Sequence, residues 1–141
     1  MKFVFIMQHA PTTDQVADAR RMGFTEVGAF APLPENPIEG VKYLGLTQNL
    51  YVPEDLGLER DWFVNQAQTI LQLAGVKSGD AIVAAGHAQL MTAVNAVAKQ
   101  LGIARFESVT ARVSEDIHGS DGSVKTVQVF KHLGYRKIFD F

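Results

Sequence analysis

The sequence predicts an α/β fold: an open, mostly parallel sheet with helices on both faces and a C-terminal antiparallel hairpin. Apolar runs of strand length alternate with segments of helical periodicity as far as residue 104. This alternation is typical of parallel sheets, in which each crossover places a helix on one face. Segments 104–113 and 123–132 also have strand character, and the loop between them is too short for a crossover helix, so they predict the hairpin.

The first elements carry clear strand and helix signals. The run Phe3–Met7 is continuously apolar, as in a strand that is buried on both faces. Thr12 and Gln15 have the spacing of a capping box, which predicts a helix that ends before Gly23. Segment 25–31 predicts the second strand.

The middle of the chain predicts one irregular segment, two helices and a strand. Segment 32–53 is expected to be irregular because it holds four of the five prolines. Segments 58–75 and 87–102 show helical apolar periodicity and end at glycines, and segment 78–86 between them is a turn and a short apolar strand. The second of these helices is expected to bury Leu90, Ala93, Val94, Val97 and Leu101. No flexible linker or internal repeat interrupts the pattern, which predicts one domain over residues 1–141.

Composition sets broad limits on function. The chain of 141 residues is 47% hydrophobic and 20% charged, which is enough apolar content for a packed core. It has no cysteines, which excludes disulfides, cysteine nucleophiles and thiolate metal sites and suits the cytoplasmic location that we expect. No apolar run reaches membrane-spanning length, and we expect neither a signal peptide nor membrane association. The net charge of −2 argues against binding long nucleic acid by charge alone.

Charge is unevenly distributed along the chain. Residues 26–61 hold seven acids against two bases. Residues 123–139 hold no acid and four bases, namely Lys125, Lys131, Arg136 and Lys137. The second segment predicts a local basic surface, although lysines on a solvated strand edge that discourages aggregation give the same pattern.

Two histidines follow predicted parallel strands. His9 lies between the first strand and the helix start at Thr12, and His87 follows Gly86 at the start of a later helix. Open parallel sheets bind ligands beyond the carboxyl ends of their strands, where the strand order reverses. Helix N-termini at this edge attract anions. We therefore expect a phosphate-bearing ligand there, with Thr12 and Thr13 as hydroxyl donors and Gly86 allowing close backbone approach.

Each of these residues also has a purely structural interpretation. His9 could be a hydrogen-bonded turn residue, and Thr12 could be a helix cap and nothing more. The sequence lacks the glycines of a dinucleotide-binding fingerprint and has no P-loop lysine motif. Its histidines have no metal-ligand spacing, so we expect neither a metal nor another cofactor.

Two short stretches resemble the histidine phosphatases. VFIMQHAPT is similar to their strand followed by Arg-His-Gly, and AAGHAQL is similar to their second histidine segment. In that family the arginine clamps the phosphate, and Gln8 stands at its position here. This resemblance implies a degenerate phosphatase-like phosphohydrolase as one alternative.

Five features along most of the chain occur in the order and spacing of another family. They are QHAPT at residues 8–12, SGDAIVAAGHAQLMTA, SVTARV, the acidic loop SEDIHGSDGSV and the C-terminal VFKHLGYRK. With these features the chain resembles the small CARF-like (CRISPR-associated Rossmann-fold) ring nucleases of type III CRISPR systems. It differs from that family at Gln8, where the family has Ser, at Pro11, where it has Leu, and at His87, where it more often has an acid.

The CARF-like resemblance implies a Rossmann-like fold and a ring nuclease activity. Such a protein binds cyclic oligoadenylate, the second messenger of type III CRISPR antiviral defence, and cleaves it to switch the signal off. The resemblance also implies a homodimer with the ring bound across its two-fold axis. A protein that sequesters the messenger without turnover is the alternative.

We expect cleavage without a metal ion, in which individual residues have specific roles. The ribose 2′-OH would attack the adjacent phosphorus, and positioning and charge would supply the rate. The predicted catalytic residues are His9, as the proton-transfer group, and Arg112 and Lys131 at the phosphate. The predicted ligand-binding residues are Gln8, Thr12, Thr13, Gly86, His87, Thr110, His132 and Arg136. His132 and Lys131 alternate on a strand, so only one of them is expected to face the site.

Overall fold

The computed structural model describes residues 1–141 and contains one six-stranded sheet, three α-helices and a short 3₁₀ helix. The strands are β1 Lys2–Ile6, β2 Glu26–Ala29, β3 Val41–Tyr43, β4 Ala81–Ala84, β5 Ala104–His118 and β6 Val124–Lys137. The α-helices are α1 Thr13–Arg21, α2 Arg60–Ala74 and α3 Ala88–Gln100, and the 3₁₀ helix is Thr47–Leu50.

The strand order is β3-β2-β1-β4-β5-β6, so the order along the sheet reverses between β1 and β4. All neighbouring strands are parallel except β5 and β6, which form an antiparallel hairpin. The predictions of a mostly parallel sheet and of a C-terminal hairpin are therefore confirmed.

Helices cover both faces of the sheet because successive side chains of the apolar strands point to opposite sides. On one face, α2 and α3 pack over Val4, Ile6 and Ile82. On the other face, α1 packs over Phe3 and Phe5 in a second cluster of buried residues. β1 thus contributes to both halves of the core, as its uninterrupted apolar sequence predicts.

The predicted helix ends are confirmed in detail. Thr12 caps α1 in a complete capping box: its hydroxyl accepts from the Gln15 N–H, and the Gln15 side chain accepts from the Thr12 N–H. Gly75 ends α2 with a φ of 67°, a left-handed conformation that costs glycine little.

Two predictions about the middle of the chain were correct only in part. Segment 32–53 contains β3 and the 3₁₀ helix, whose Leu50 is buried, because pairing with β2 and packing on the core supply order that the local sequence does not signal. The predicted buried face of α3 is confirmed at Leu90, Val94 and Val97, and Ala93 packs against the core, but the prediction is wrong at Leu101 and missed two residues. Met91 and Ala98 are buried, whereas Leu101, beyond the end of α3, is 51% exposed.

The hairpin is longer than predicted. β5 pairs with β4 only over Ala104–Phe106 and then continues past the sheet, paired with β6 alone as far as His118. The predicted loop 114–122 shrinks to a tight turn at 119–123, in which the Asp121 side chain accepts from the Ser123 N–H and hydroxyl. We call the projecting ribbon, Thr110–His118 with Val124–His132, the arm.

A β-bulge lies at the base of the arm. Val109 pairs with Gly134 and Thr110 pairs with His132, which leaves Leu133 as an extra residue in β6. Because a bulge shifts the alternation of side chains by one, His132 turns to the same side as Tyr135, and their ring centroids are 4.8 Å apart. The bulge thus directs His132 towards α1.

The C-terminal tail is attached to the sheet through Asp140. Arg105 and Lys99 each place a cationic nitrogen within about 3 Å of its carboxylate, at 3.1 and 2.8 Å. Hydrogen bonds from Arg105 and then from Lys99 lower the pKa of Asp140 from its ordinary 3.8 to about 2.

The attachment through Asp140 predicts an acid-sensitive contribution to stability. A carboxyl group whose pKa is depressed in the folded protein stabilises the fold above its unfolded pKa and loses that contribution as the pH falls through the folded pKa. Asp140→Asn is therefore expected to be less stable than the wild type at neutral pH, and the difference should vanish as the pH falls from about 4 to 2. Urea unfolding across this range tests it, and a difference that persists at the acid end would contradict it.

None of the helices combines the length and the apolar composition that crossing a membrane requires.

Candidate functional site

Two loops emerge side by side where the strand order reverses. Residues 7–12 follow β1 and residues 85–87 follow β4. Ile6 and Ala84 are paired across the two strands, and the Ala85 N–H donates to the Ile6 carbonyl at 2.9 Å. The first loop leads to α1 on one face and the second to α3 on the other, so the two loops diverge above the sheet. This is the place where open parallel sheets bind ligands.

His9 is the most available chemical group in the first loop. Gln8 and His9 are both exposed, and neither side chain makes a hydrogen bond. The alternative that His9 is a hydrogen-bonded turn residue therefore has no support. Thr12 does act as a helix cap, but its hydroxyl hydrogen remains free to donate to a ligand.

The first turn of α1 offers further donors. The backbone N–H groups of Thr13 and Asp14 have no acceptor in the protein. Unpaired N–H groups at a helix start attract an anion, as does the helix dipole. The exposed carboxylate of Asp14 in the same turn opposes that attraction.

His87 has a different environment from His9. It caps α3, with Nδ1 accepting from the Leu90 N–H at 3.5 Å, and its ring stacks on Phe63 with centroids 6.3 Å apart. It lines a cavity of about 390 Å³ together with Glu54 and Asp55. Two carboxylates beside His87 disfavour phosphate there, so its ligand-binding role and that of neighbouring Gly86 stay predictions without electrostatic support.

Arg112 and Lys131 leave the arm on opposite faces. Arg112 pairs with Phe130 and lies over its ring at 5.2 Å, whereas Lys131 pairs with Ala111. Thr110 pairs with His132, which contacts α1, so Thr110 and Arg112 share the face that α1 contacts. Neither Arg112 nor Lys131 has a carboxylate partner. Of the two predicted phosphate contacts, Arg112 is the one on the α1 side.

Arg136 is already neutralised. Its guanidinium pairs with Glu107, and it alternates with Tyr135, whose ring packs on the α1 side of the sheet. Arg136 therefore points to the other side, and a phosphate there would compete with Glu107. The predicted basic C-terminal segment does not converge on one point.

His132 belongs to a network that sequence reasoning missed. Its Nε2 lies 3.1 Å from Asp18 Oδ2, and its Nδ1 lies 2.9 Å from Ser108 Oγ. Gln15 Nε2 donates to the same serine oxygen at 3.2 Å. The His132 side chain is only 5% exposed, so a ligand has little access to it and its direct ligand-binding role stays a prediction.

The network is suited to holding the arm against α1. In the tautomer whose Nε2–H donates to Asp18, the His132 Nδ1 is left to accept from the Ser108 hydroxyl. Tyr135 adds a hydrogen bond to the Gln15 carbonyl at 2.6 Å, and burial raises the pKa of Tyr135, which keeps its hydroxyl a donor. Gly134 is the one feature of the sequence that could have indicated this arrangement, because a glycine inside a strand often marks a bulge.

Other concave surfaces lie away from the two loops. A cavity of about 430 Å³ opens at the amino ends of β1 and β2, beside Lys2, Glu26 and Lys42. It is at the opposite edge of the sheet from His9. No group of three or more histidine or carboxylate side chains is close enough to hold a metal ion.

Comparison with known proteins identifies a family. The model of the family described as "Uncharacterized protein MJ1673 family" matches residues 1–136. The chain belongs to this family. No curated protein and no solved structure matches it. The MJ1673 family match extends over both loops, α1 and the whole arm.

In this member of the MJ1673 family, the hydrogen bonds between His132, Asp18 and Ser108 are expected to contribute to stability. Asp18→Ala leaves a buried His132 N–H without an acceptor, which is expected to cost about 1–3 kcal/mol in the free energy of unfolding. Asp18→Asn keeps an acceptor oxygen and should lose less. Asp14→Ala is the matched control on the same helix, and it should change stability by less than about 1 kcal/mol through the helix dipole. Urea unfolding measures all three, and equal losses for Asp18→Ala and Asp14→Ala would contradict the assignment.

Proposed function

We propose that this protein is a ring nuclease that binds cyclic oligoadenylate and cleaves it, and so switches off type III CRISPR antiviral signalling. The observation that carries the proposal is the position of His9. It is exposed and unpartnered on the loop that leads to the free N–H groups of α1, at the point where the strand order reverses. That combination offers an acid–base group next to an anion site.

The Rossmann-like, CARF-like assignment of the fold is part of the proposal. It is supported by the order β3-β2-β1-β4-β5, which is the order of doubly wound nucleotide-binding sheets. It is also supported by the five sequence features that resemble the small CARF-like proteins.

The proposed reaction needs only groups of the protein and the substrate. The ribose 2′-oxygen attacks the adjacent phosphorus and loses its proton, and the bond from phosphorus to the 5′-oxygen breaks. The products are a 2′,3′-cyclic phosphate and a 5′-hydroxyl. His9 is assigned to proton transfer, either from the 2′-OH or to the 5′-oxygen. Arg112, on the α1 side of the arm, would stabilise negative charge on the phosphate, and Gln8, Thr12 and Thr13 would donate hydrogen bonds.

One observation favours the alternative of a protein that sequesters the messenger. The structure offers one histidine, His9, as an acid–base group at this site. His132 is buried, and His87 caps α3 beside two acids. Attack by a 2′-OH benefits from both a base and an acid. A site with one such group would bind the ring and turn it over slowly or not at all.

Turnover distinguishes the two functions. Purified protein is incubated with cyclic tri-, tetra- or hexaadenylate in EDTA, and linear product is counted against protein. Product in excess of protein supports the nuclease, and stoichiometric binding without product supports sequestration. Binding to phosphates should weaken as salt rises. Failure to bind any ring, together with hydrolysis of a simple phosphomonoester, would favour the phosphatase-like alternative.

A further inference from the structure

One edge of the arm has no partner. β5 pairs with β4 only over Ala104–Phe106, so from Thr110 to His118 its outer edge is bordered by no other strand. A two-stranded ribbon is marginally stable on its own in water, and an open edge presents unpaired N–H and carbonyl groups. A ribbon as long as the arm is therefore expected to pair with another strand, either at this edge or at the outer edge of β6.

Pairing between the outer edges of β6 in two copies of the chain is disfavoured by charge. In antiparallel pairing about a two-fold axis at Gln128, Lys125 of one copy would lie opposite Lys131 of the other. Like charges directly opposite each other destabilise a strand pair, and lysine on an edge strand discourages association.

The outer edge of β5 has the opposite character. Antiparallel pairing about a two-fold axis at Ser114 places Arg112 of one copy opposite Asp116 of the other, twice. The same register places Ala111 opposite Ile117 and Val113 opposite Glu115. Arg112 and Asp116 have no oppositely charged partner within the chain. Opposite charges and apolar residues across a strand pair both stabilise it.

We propose that two copies of this chain dimerise through the outer edges of β5, in the register centred on Ser114. The arms then form a four-stranded antiparallel ribbon in the order β6-β5-β5-β6. The ribbon brings the same face of both arms side by side. In each copy this face carries Ala111, Val113, Ile117, Val127 and Val129 together with the charged residues Glu115, Lys125 and Lys131. This inference does not depend on the proposed nuclease function.

Charge reversal tests the register. Arg112→Asp and Asp116→Arg each place like charges opposite each other twice, so each variant alone should be largely monomeric at concentrations where the wild type is a dimer. The double variant restores opposite charges and should dimerise. A mixture of the two single variants should form a heterodimer, in which both pairs are again opposite. Light scattering after gel filtration measures the masses, and Lys125→Glu on the other strand is the matched control, which should stay dimeric.

A chain without cysteines allows a second readout. Ser114→Cys should form a disulfide between two copies under mild oxidation because the two positions face each other across the axis. Gln128→Cys is the control, since Gln128 lies opposite Ser114 on β6 and donates to it at 2.9 Å. A monomeric wild type, a dimer insensitive to both reversals, or equal crosslinking at the two positions would overturn the proposal. Because Arg112 is also assigned to the phosphate, the Arg112→Asp variant is read only by its mass, and the Asp116→Arg and Ser114→Cys variants test the dimer without altering a proposed phosphate contact.

Discussion

His9→Ala is expected to lower the rate of ring cleavage far more than it weakens binding. A positioned general acid or base contributes about 10²- to 10⁴-fold to a rate, so the single-turnover rate should fall by at least about two orders of magnitude. The loss of one neutral hydrogen bond to a ligand costs about 0.5–1.5 kcal/mol, so the dissociation constant should rise by no more than about tenfold. Single-turnover cleavage and equilibrium binding of the same cyclic oligoadenylate give the two numbers.

His118→Ala is the matched control for His9→Ala. His118 is also an exposed histidine, but it lies at the tip of the arm, at the end of β5. It should leave both the rate and the affinity unchanged. If His9→Ala lowers both together, His9 is a binding residue. If it changes neither, the proposed site at the end of β1 is wrong.

Phe3→Ala should cause the largest loss of stability in the sheet. Phe3 is fully buried, and its ring centroid lies 5.0–5.2 Å from those of Phe5, Phe24 and Tyr135. Truncation of a buried phenylalanine to alanine costs about 3–5 kcal/mol because it removes apolar contacts and leaves a cavity. Urea unfolding followed by circular dichroism gives the change in the free energy of unfolding.

Phe139→Ala provides the comparison, because that phenylalanine is 63% exposed in the C-terminal tail. Exposed substitutions of this kind change stability by about 0.5 kcal/mol or less. Similar midpoints for the two variants would mean that the ring cluster around Phe3 contributes little to folding.

The sequence was most informative where one local signal settles one structure. An unbroken apolar run identified β1 because a strand covered on both faces has no polar side. Thr12 and Gln15 identified the start of α1 because the two side chains satisfy each other's backbone groups without help from the rest of the fold. The hairpin followed from the length of the loop between β5 and β6, which is too short to hold a crossover helix.

Tertiary contacts decided what the sequence did not reveal. β3 has three residues and exists because Val41–Tyr43 lie beside β2, a pairing that no local pattern signals. The candidate site likewise has one part that the sequence indicates and one part that only tertiary contacts create. That His9 lies on the reversal point follows from the alternation of strands and helices, whereas the network of His132, Asp18 and Ser108 joins residues up to 114 positions apart.

The β-bulge at Leu133 decides which chemistry the arm presents to each side of the protein. If β6 instead paired regularly, with Leu133 opposite Thr110, the two faces of β6 in the arm would be exchanged relative to the sheet. The side now occupied by Phe130 and His132 would then receive their neighbours Val129 and Lys131. Deletion of Leu133 would leave Val109–Gly134 and Thr110–His132 as consecutive pairs, so a descendant protein that lost this residue would lose the kink and keep the surfaces of its arm, whereas the same deletion inside β1 would disrupt both halves of the core.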